Sequence, residues 1–492
     1  MKVLLLYPHF PDTFWSFKHA LKFIGKRASL PPLGLLTVAA MLPAAWEKRL
    51  VDVNVRPLRD KDLAWADLVL ISAMIAQRDS ASELIARCRA AGKTIVAGGP
   101  LFTVEHDQFP DVDHFVLNEA EMTLPGFLDD FARGAAQRVY TSTELPDVSL
   151  TPAPLWELAD LRRYASMSVQ YSRGCPFDCD FCSVTAMFGH RPRVKTPAQI
   201  LKELDGLWRR GWRGTVFFVD DNFIGNKRSL REDLLPELIR WHRGKRGFAF
   251  YTEASINLAD DEDLMRLMAK AAFDQVFIGI ETPEEASLTE CNKRQNRSRD
   301  LVGDVKRIQR AGLQVQGGFI VGFDNDPPTI FQRQIDFIQK SGIVTAMVGL
   351  LQAVHGTKLH ERLRLQGRLL GNTTGDNVDG TTNFVPRMNR EILRDGYQRL
   401  MDHLYAPGPY YRRIRTFLRE YRPSQSSASA TPENFGAFAR ASVRLGIIGR
   451  ERFHFWGLLM WTCFRRPTLV PVAVRLSIYG FHFRKCSAAL GT

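Results

Sequence analysis

Three cysteines fall within eight residues in the segment Arg173-Gly174-Cys175-Pro176-Phe177-Asp178-Cys179-Asp180-Phe181-Cys182. Thiolates are soft ligands suited to iron or zinc. A four-iron cubane held by only three thiolates keeps one iron open to a small molecule, whereas clusters that only pass electrons use four cysteines. A single tetrahedral ion would need a fourth ligand nearby, and the next candidate, His190, lies beyond a glycine. An open-site cluster therefore implies cofactor or substrate chemistry, with half a zinc site or plain buried thiols as the alternatives.

Further polar residues follow short apolar runs along the chain. Asp220 and Asp221 follow 215–219, Glu253 and Ser255 follow 248–251, and Glu281 follows 275–280. Gly317-Gly318-Phe319-Ile320-Val321-Gly322 closes another run, and glycines let a flat ligand approach the backbone. Each of these acids could equally be a helix cap or a solvated charge; their shared position after strands is what matters. In the first part of the chain, Pro32 and Gly34 precede a helix from about residue 35, and Gly98-Gly99-Pro100 closes a strand.

Two successive α/β rhythms must position these groups. The first has strands expected at 3–7, 50–55, 68–72, 94–97 and 114–117, separated by helical patterns, which is the signature of a parallel sheet. A Pro- and Thr-rich stretch at 146–154 reads as a linker. The second has strands expected at 168–171, 215–219, 248–251, 275–280, 314–321 and 345–350. Six short apolar strands alternating with helices suggest a (β/α)6 partial barrel, whose site lies at the carboxyl ends of its strands. Beyond about 386 the pattern is helical, basic and aromatic, broken by a Ser-rich stretch at 423–432 expected to be a flexible loop. The organisation is therefore an α/β chain: a Rossmann-like domain over 1–140, a linker over 141–166, a partial barrel over 167–385 and a C-terminal helical region over 386–492.

The C-x3-C-x2-C run with Phe181 before its last cysteine is similar to the signature of radical S-adenosylmethionine enzymes. The resemblance implies that Cys175, Cys179 and Cys182 hold a [4Fe-4S] cluster, and that S-adenosylmethionine chelates the open iron and is cleaved reductively to a 5′-deoxyadenosyl radical. It implies that Asp220 and Asp221 stand where the family carries a Gly-Gly-Glu-like segment for the cofactor's amino group, although no glycine pair is present here. Glu253, Ser255 and Glu281 match positions near its methionine and ribose, and Gly318 and Gly322 the strand against which adenine lies. The preceding domain, with Pro32, Gly34, Gly98, Gly99 and Asn118-Glu119-Ala120-Glu121, resembles the cobalamin-binding domain of class B methyltransferases. The Asp-x-His-x-x-Gly motif is missing, Asp113 and His114 being adjacent, so the resemblance implies cobalamin without a histidine on its lower face. Phe14-Trp15-Ser16-Phe17, Asp220-Asp221-Asn222-Phe223-Ile224-Gly225-Asn226-Lys227 and Glu253-Ala254-Ser255-Ile256-Asn257-Leu258 resemble the branch that contains the hopanoid C-2 methylases. The expected activity is methyl transfer to an unactivated carbon of an apolar, lipid- or pigment-like substrate, with a flavodoxin or ferredoxin as electron donor. A non-methylating cyclase of the same superfamily is the enzymatic alternative, and a nucleic-acid-binding protein with a structural metal is the alternative from another class.

Composition narrows these readings. Hydrophobic residues at 45% and charged residues at 24% are ordinary for a globular chain. Residues 391–492 carry 16 basic and 6 acidic side chains, a net +10 of the chain's +13, so the first 390 residues are nearly balanced and a uniformly basic nucleic-acid binder is disfavoured. Large aromatics are interleaved with this charge, as in Arg452-Phe453-His454-Phe455-Trp456, which suits peripheral contact with an anionic membrane surface or the core of a helical cap. The clustered cysteines fit a reducing, cytoplasmic setting rather than a secreted disulfide scaffold, with Cys88, Cys291, Cys463 and Cys486 read as core or surface thiols; the tail would place the chain at the inner face of the membrane.

Overall fold

The computed structural model of the chain describes all residues except 246, 377, 424–431 and 490–492; most of the Ser-rich stretch expected to be a loop lies outside the described residues. Strands β1 (Lys2–Tyr7), β2 (Glu47–Asp52), β3 (Leu68–Ser72), β4 (Thr94–Gly98), β5 (His114–Val116) and β6 (Val139–Tyr140) form one parallel sheet in the order β2-β1-β3-β4-β5-β6. Leu4, Leu6, Val69 and Ile71 pack into one helical layer, while Val3, Leu5, Leu68 and Leu70 pack with Leu35 and Ala39 into the other. Burial on both faces is why the central strands read as unbroken apolar runs. The order reverses between β1 and β3, the kind of point where doubly wound sheets bind ligands at their carboxyl edge.

The second sheet is also parallel. It contains β7 (Met167–Val169), β10 (Thr215–Phe218), β11 (Ala249–Glu253), β12 (Phe273–Glu281), β13 (Gln314–Val321) and β14 (Ala346–Leu350), adjacent in that order. Between β7 and β10 a small antiparallel ribbon pairs β8 (Ser172–Arg173) with β9 (Arg193–Val194). On β12, Val276, Ile278 and Ile280 are fully buried under the outer helices, while the alternating Phe277 and Gly279 are half-buried and line the lumen. Helices start where the sequence supplies a cap. Thr196 and Gln199 form a capping box on Pro197–Arg209, and Asp261 accepts the Leu264 amide 3.1 Å away on Glu262–Lys270. The sequence reading missed β6, only two residues long, and the β8–β9 ribbon; it placed β2 at 50–55, whereas this edge strand starts in charged residues and runs Glu47–Asp52, and it ended β11 at Tyr251, whereas Glu253 is the last residue of that strand.

Five helices follow the barrel: Arg390–Tyr405, Pro407–Glu420, Pro432–Gly446, Arg452–Arg465 and Val470–Ala489. They cover the open edge left by β14. Tyr397 donates its hydroxyl to the carbonyl of Val348 at 2.9 Å, Tyr405 donates to that of Ala346, and the fully buried Arg413 donates to those of Leu404 at 3.0 Å and Val344 at 3.4 Å. An edge strand with unpaired polar groups is thereby satisfied by side chains. The last helix also meets the start of the chain, where Phe14 stacks on Phe483 with ring centroids 5.2 Å apart.

Candidate active site at the barrel mouth

The cysteine loop leaves the barrel just after β7 and is clasped at its base by the β8–β9 ribbon. Gly174 sits at φ +95°, and a Cβ there would meet the carbonyl oxygens of Arg191, Gly189 and Phe188 at 2.9–3.0 Å, so no other residue fits without moving backbone. Asp220, just past β10, turns back to the same base. It accepts the Tyr171 amide at 3.1 Å, the Ser172 hydroxyl at 2.5 Å and the Ser172 amide. Burial pushes its carboxyl up to about 7 against those hydrogen bonds. Asp221 is pushed up to about 6 by burial, opposed by the amide of Gly174 and by Arg173. The pair thus braces the loop from beneath.

The three thiols are half-buried, and each has a different neighbour. Asn222 Nδ2 lies 3.9 Å from Cys175 Sγ and Gln295 Nε2 lies 3.7 Å from Cys179 Sγ, while burial holds the Cys182 thiol up at about 12. One cation, Lys293, favours the thiolate at all three. Its ammonium is paired with Glu281 at 2.6 Å and lies 5.8 Å from the centroid of the Phe181 ring. Burial disfavours that charge, but Glu281 and the cysteines more than restore it. The tip of the loop is anchored from the other side of the barrel: Asp180 donates its amide to Cys291 O at 3.0 Å, Asn292 Nδ2 donates to Asp178 O at 2.7 Å, and Leu359 donates to Asp180 O at 2.8 Å. Three thiols from one loop over a shared cation form a donor set suited to an iron–sulfur cluster with one open iron.

Inside the mouth, Glu253 faces Asp220 and Asp221, and no donor among the described residues bonds it; burial first, then the two aspartates, push its carboxyl up to about 8. Ser255 is held by Asn222 Oδ1, which accepts its amide at 3.2 Å and its hydroxyl at 3.3 Å. Glu281, in the left-handed region at φ +63°, is drawn towards Lys293 and so towards the cysteines. Gly318 lies beside Phe277, and a Cβ there would come within 2.8 Å of the ring. Gly322, at φ +105°, begins the turn after β13 and donates its amide to Asp326 at 2.8 Å. Deeper in the lumen Phe217 and Tyr251 stack at 4.6 Å with their planes 7° apart, and Trp15 packs over Phe277 at 4.9 Å. A carboxylate that lacks a cation, a backbone cleared by glycine and an aromatic floor stand together at one end of the barrel.

The carboxyl edge of the first sheet faces this mouth. Arg173 binds Glu119 and Glu121, the latter at 2.9 Å, and Arg193 binds Glu119 at 2.6 Å. Arg78, after β3, donates to Thr373 O at 3.0 Å, and Gly375 packs so closely on Ile75 and Ala76 that a Cβ would meet the Ala76 nitrogen at 2.6 Å. On this edge Gly98 ends β4 and Gly99, at φ +90°, sits tight against Ser72, while Pro32 precedes the helix Leu33–Met41 and Gly34 in its first turn is exposed. His114 stands at the opposite, amino end of β5, bonded through Nδ1 to Gln137 O at 2.7 Å, and cannot reach the edge. Small residues line this edge where it faces the barrel, and Gly98 and Gly99 would leave room there for a corrin, while His114 would not reach it. Sequence reasoning missed Lys293, Arg193 and the placement of Trp15. Lys293 belongs to no motif, and only the return of the loop after the helix Glu285–Glu290 brings it beneath the cysteines.

Three family profiles match successive parts of the chain: a B12 binding domain over residues 27–128, the Radical SAM superfamily over 169–338 and a domain of unknown function, DUF4070, over 357–491. An uncharacterized methyltransferase of Synechocystis is 42% identical over 98% of this chain and 91% of its own length. The hopanoid C-2 methylase of Rhodopseudomonas palustris is 32% identical over 92% of this chain and 88% of its own. Among solved structures, the cobalamin-dependent S-adenosylmethionine radical enzyme OxsB, with aqua-cobalamin and S-adenosylmethionine bound, shares the fold across 100% of this chain and 84% of its own with a TM-score of 0.64 at 15% identity.

Proposed function

Because this chain belongs to the cobalamin-dependent radical S-adenosylmethionine methyltransferases, in the branch that includes a hopanoid C-2 methylase, we propose that it methylates an unactivated carbon of an apolar, lipid- or pigment-like molecule. The cofactors of the family are a [4Fe-4S] cluster, S-adenosylmethionine and cobalamin. When bound, they supply radical initiation and a transferable methyl group. The rest is the work of the chain. Cys175, Cys179 and Cys182 hold the cluster, and Lys293 offsets the charge of three thiolates in a partly desolvated loop. Glu253 receives the cationic part of S-adenosylmethionine, Gly318 clears room for a flat ring, and Gly98 and Gly99 admit the corrin beside the first sheet. The aromatic floor of Phe217, Tyr251, Trp15 and Phe277 receives the substrate, and an apolar substrate is the kind such a floor accommodates. The observation that carries this reading is the three-thiol loop over Lys293, opposite a carboxylate, Glu253, that has no cation among the described residues.

Replacing Cys175, Cys179 and Cys182 together by alanine should remove about four irons per chain and abolish deoxyadenosine formation. Retention of iron in that variant would refute the assignment. Comparing lipids and pigments of cells with and without the gene by mass spectrometry should reveal a product one methylene heavier. S-adenosylhomocysteine among the products of the reduced, anaerobic enzyme distinguishes methyl transfer from a cyclase reaction.

The C-terminal helices support a peripheral membrane contact through which such a substrate would be reached. On Arg452–Arg465, Phe455, Leu458 and Leu459 point inward, while Phe453, Trp456, Met460 and Phe464 are exposed, Phe464 by 83%. Phe435, Val443, Ile447 and Ile448 are likewise exposed in or just after the neighbouring helix Pro432–Gly446. Exposed aromatic and aliphatic side chains amid arginines suit an anionic interface. No helix among the described residues is long and apolar enough to cross a membrane. The chain should float with anionic liposomes at low salt, and the variant Phe453→Ser/Trp456→Ser/Phe464→Ser should stay at the bottom of the gradient.

A further inference from the structure

Far from the cysteine loop, a second group of metal-ligating side chains comes together where the two ends of the chain meet. His482 and Cys486 lie four residues apart on the helix Val470–Ala489, so both project from one face. His19, on the helix Lys18–Ile24, approaches them from the other end of the sequence. One ligand atom from each of the three lies within 4.8 Å of the other two, and His482 and Cys486 are buried. We propose that His19, His482 and Cys486 form a structural site for a zinc-class divalent cation, separate from the iron cluster, that pins the last helix to the N-terminal segment.

Several details separate this group from three residues that merely pack together. His482 Nε2 lies 3.0 Å from the carbonyl of Phe14, so as an N–H it donates there and leaves Nδ1 as a lone pair. Metal-binding histidines are typically oriented in this way, by a backbone carbonyl on the nitrogen that does not bind. Cys486 Sγ lies 3.7 Å from both ring nitrogens of His482, off the direction of the Nδ1 lone pair, so a shared metal requires a turn of the thiol or the ring within the cluster. Its other polar contact is a weak one to Thr13 O at 3.7 Å. A thiolate with two imidazoles is a donor set that zinc accepts. Lys18, Lys22 and Lys485 face His19, and the Asp12 carboxylate, itself paired with Lys18 at 2.6 Å, faces all three ligands. The thiolate offsets half the charge of a divalent ion, and the fourth position is open to water.

The site has a structural consequence. Phe17 stacks on His482 at 5.3 Å and Phe14 on Phe483 at 5.2 Å, so the segment between Thr13 and the first helix is held on the last helix. That segment carries Trp15, which packs over Phe277 in the lumen. A metal here would fix one wall of the barrel interior.

Elemental analysis and cobalt substitution test the proposal on the full chain. Holoenzyme stripped of loosely bound metal by a weak chelator should retain about one zinc per chain beside about four irons. Cys486→Ser and His19→Ala should each lower zinc at least tenfold without changing iron. In the Cys175→Ala/Cys179→Ala/Cys182→Ala chain, where no cluster absorbance interferes, cobalt(II) should give a sulfur-to-cobalt charge-transfer band that disappears when Cys486→Ser is added. Zinc below a tenth of an equivalent in folded holoenzyme, or a cobalt spectrum without that band, would overturn the proposal and leave the trio a hydrogen-bonded cap.

Discussion

Carboxylates stand on both sides of the gap between the first sheet and the barrel, and the two sides differ in their counter-charges. On the sheet side Glu119 and Glu121 are met by Arg173 and Arg193, and although burial pushes the Glu121 carboxyl up, Arg173 pulls it below the ordinary range. On the barrel side no cation among the described residues pairs with Glu253, and burial with the two aspartates pushes its carboxyl up to about 8. The first arrangement is complete without a ligand and ties two domains together. The second has a desolvated acid facing a space, the condition that a cationic cofactor would relieve.

The largest effect should come from breaking the completed side. Arg173→Met leaves the buried Glu121 without its cation and Glu119 with Arg193 alone, so unfolding should become easier by about 3–5 kcal/mol, read as a lower urea midpoint. Adding Glu121→Gln to that variant should recover part of the loss, because the uncompensated charge goes with it. A loss below about 1 kcal/mol for Arg173→Met would mean that the clasp is solvated and the contrast false.

The legible part of this site was the part written locally. The 68–72 strand appears with the expected ends because its apolar run is bounded by Asp67 and Ser72. The cysteine loop was readable from spacing alone. Lys293 was not, since its role depends on a pairing with Glu281 and on a loop that brings it back beneath residues more than a hundred positions earlier. Nor could periodicity decide which aromatics of Arg452–Arg465 face out, because apolar residues surround that helix; only packing against its neighbours leaves Phe453 and Phe464 exposed.

A smaller effect tests the incomplete side. Glu253→Gln keeps the shape and removes the charge, so S-adenosylmethionine should bind the iron-loaded chain about 10–100-fold more weakly, equivalent to about 1.4–2.7 kcal/mol. Thermal stability without the cofactor should be unchanged or slightly raised, since a half-buried acid with no partner among the described residues is replaced by a neutral amide. Equilibrium dialysis gives the affinity. Unchanged binding would remove Glu253 from the cofactor site.

The smallest effect is a dependence of stability on pH, and its sign follows from the same acids. Asp220, Asp221 and Glu253 titrate near 7, 6 and 8 in the folded chain, above the roughly 4 expected when unfolded. Between those values the folded state holds more protons than the unfolded one. Stability from these groups is therefore greatest at the acid end and falls as pH rises through the folded values. Without S-adenosylmethionine, the iron-loaded chain should lose about 1 kcal/mol between pH 6 and pH 7.5, a figure kept small because water reaches the open mouth. Glu253→Gln should flatten that slope, since the most strongly shifted of the three acids no longer titrates. Saturating S-adenosylmethionine should flatten it as well, because a cation beside Glu253 stabilises the carboxylate and releases its proton. Urea titrations across this pH range, with and without the cofactor, measure both slopes. A slope that neither the substitution nor the cofactor alters would place the titrating groups elsewhere in the molecule.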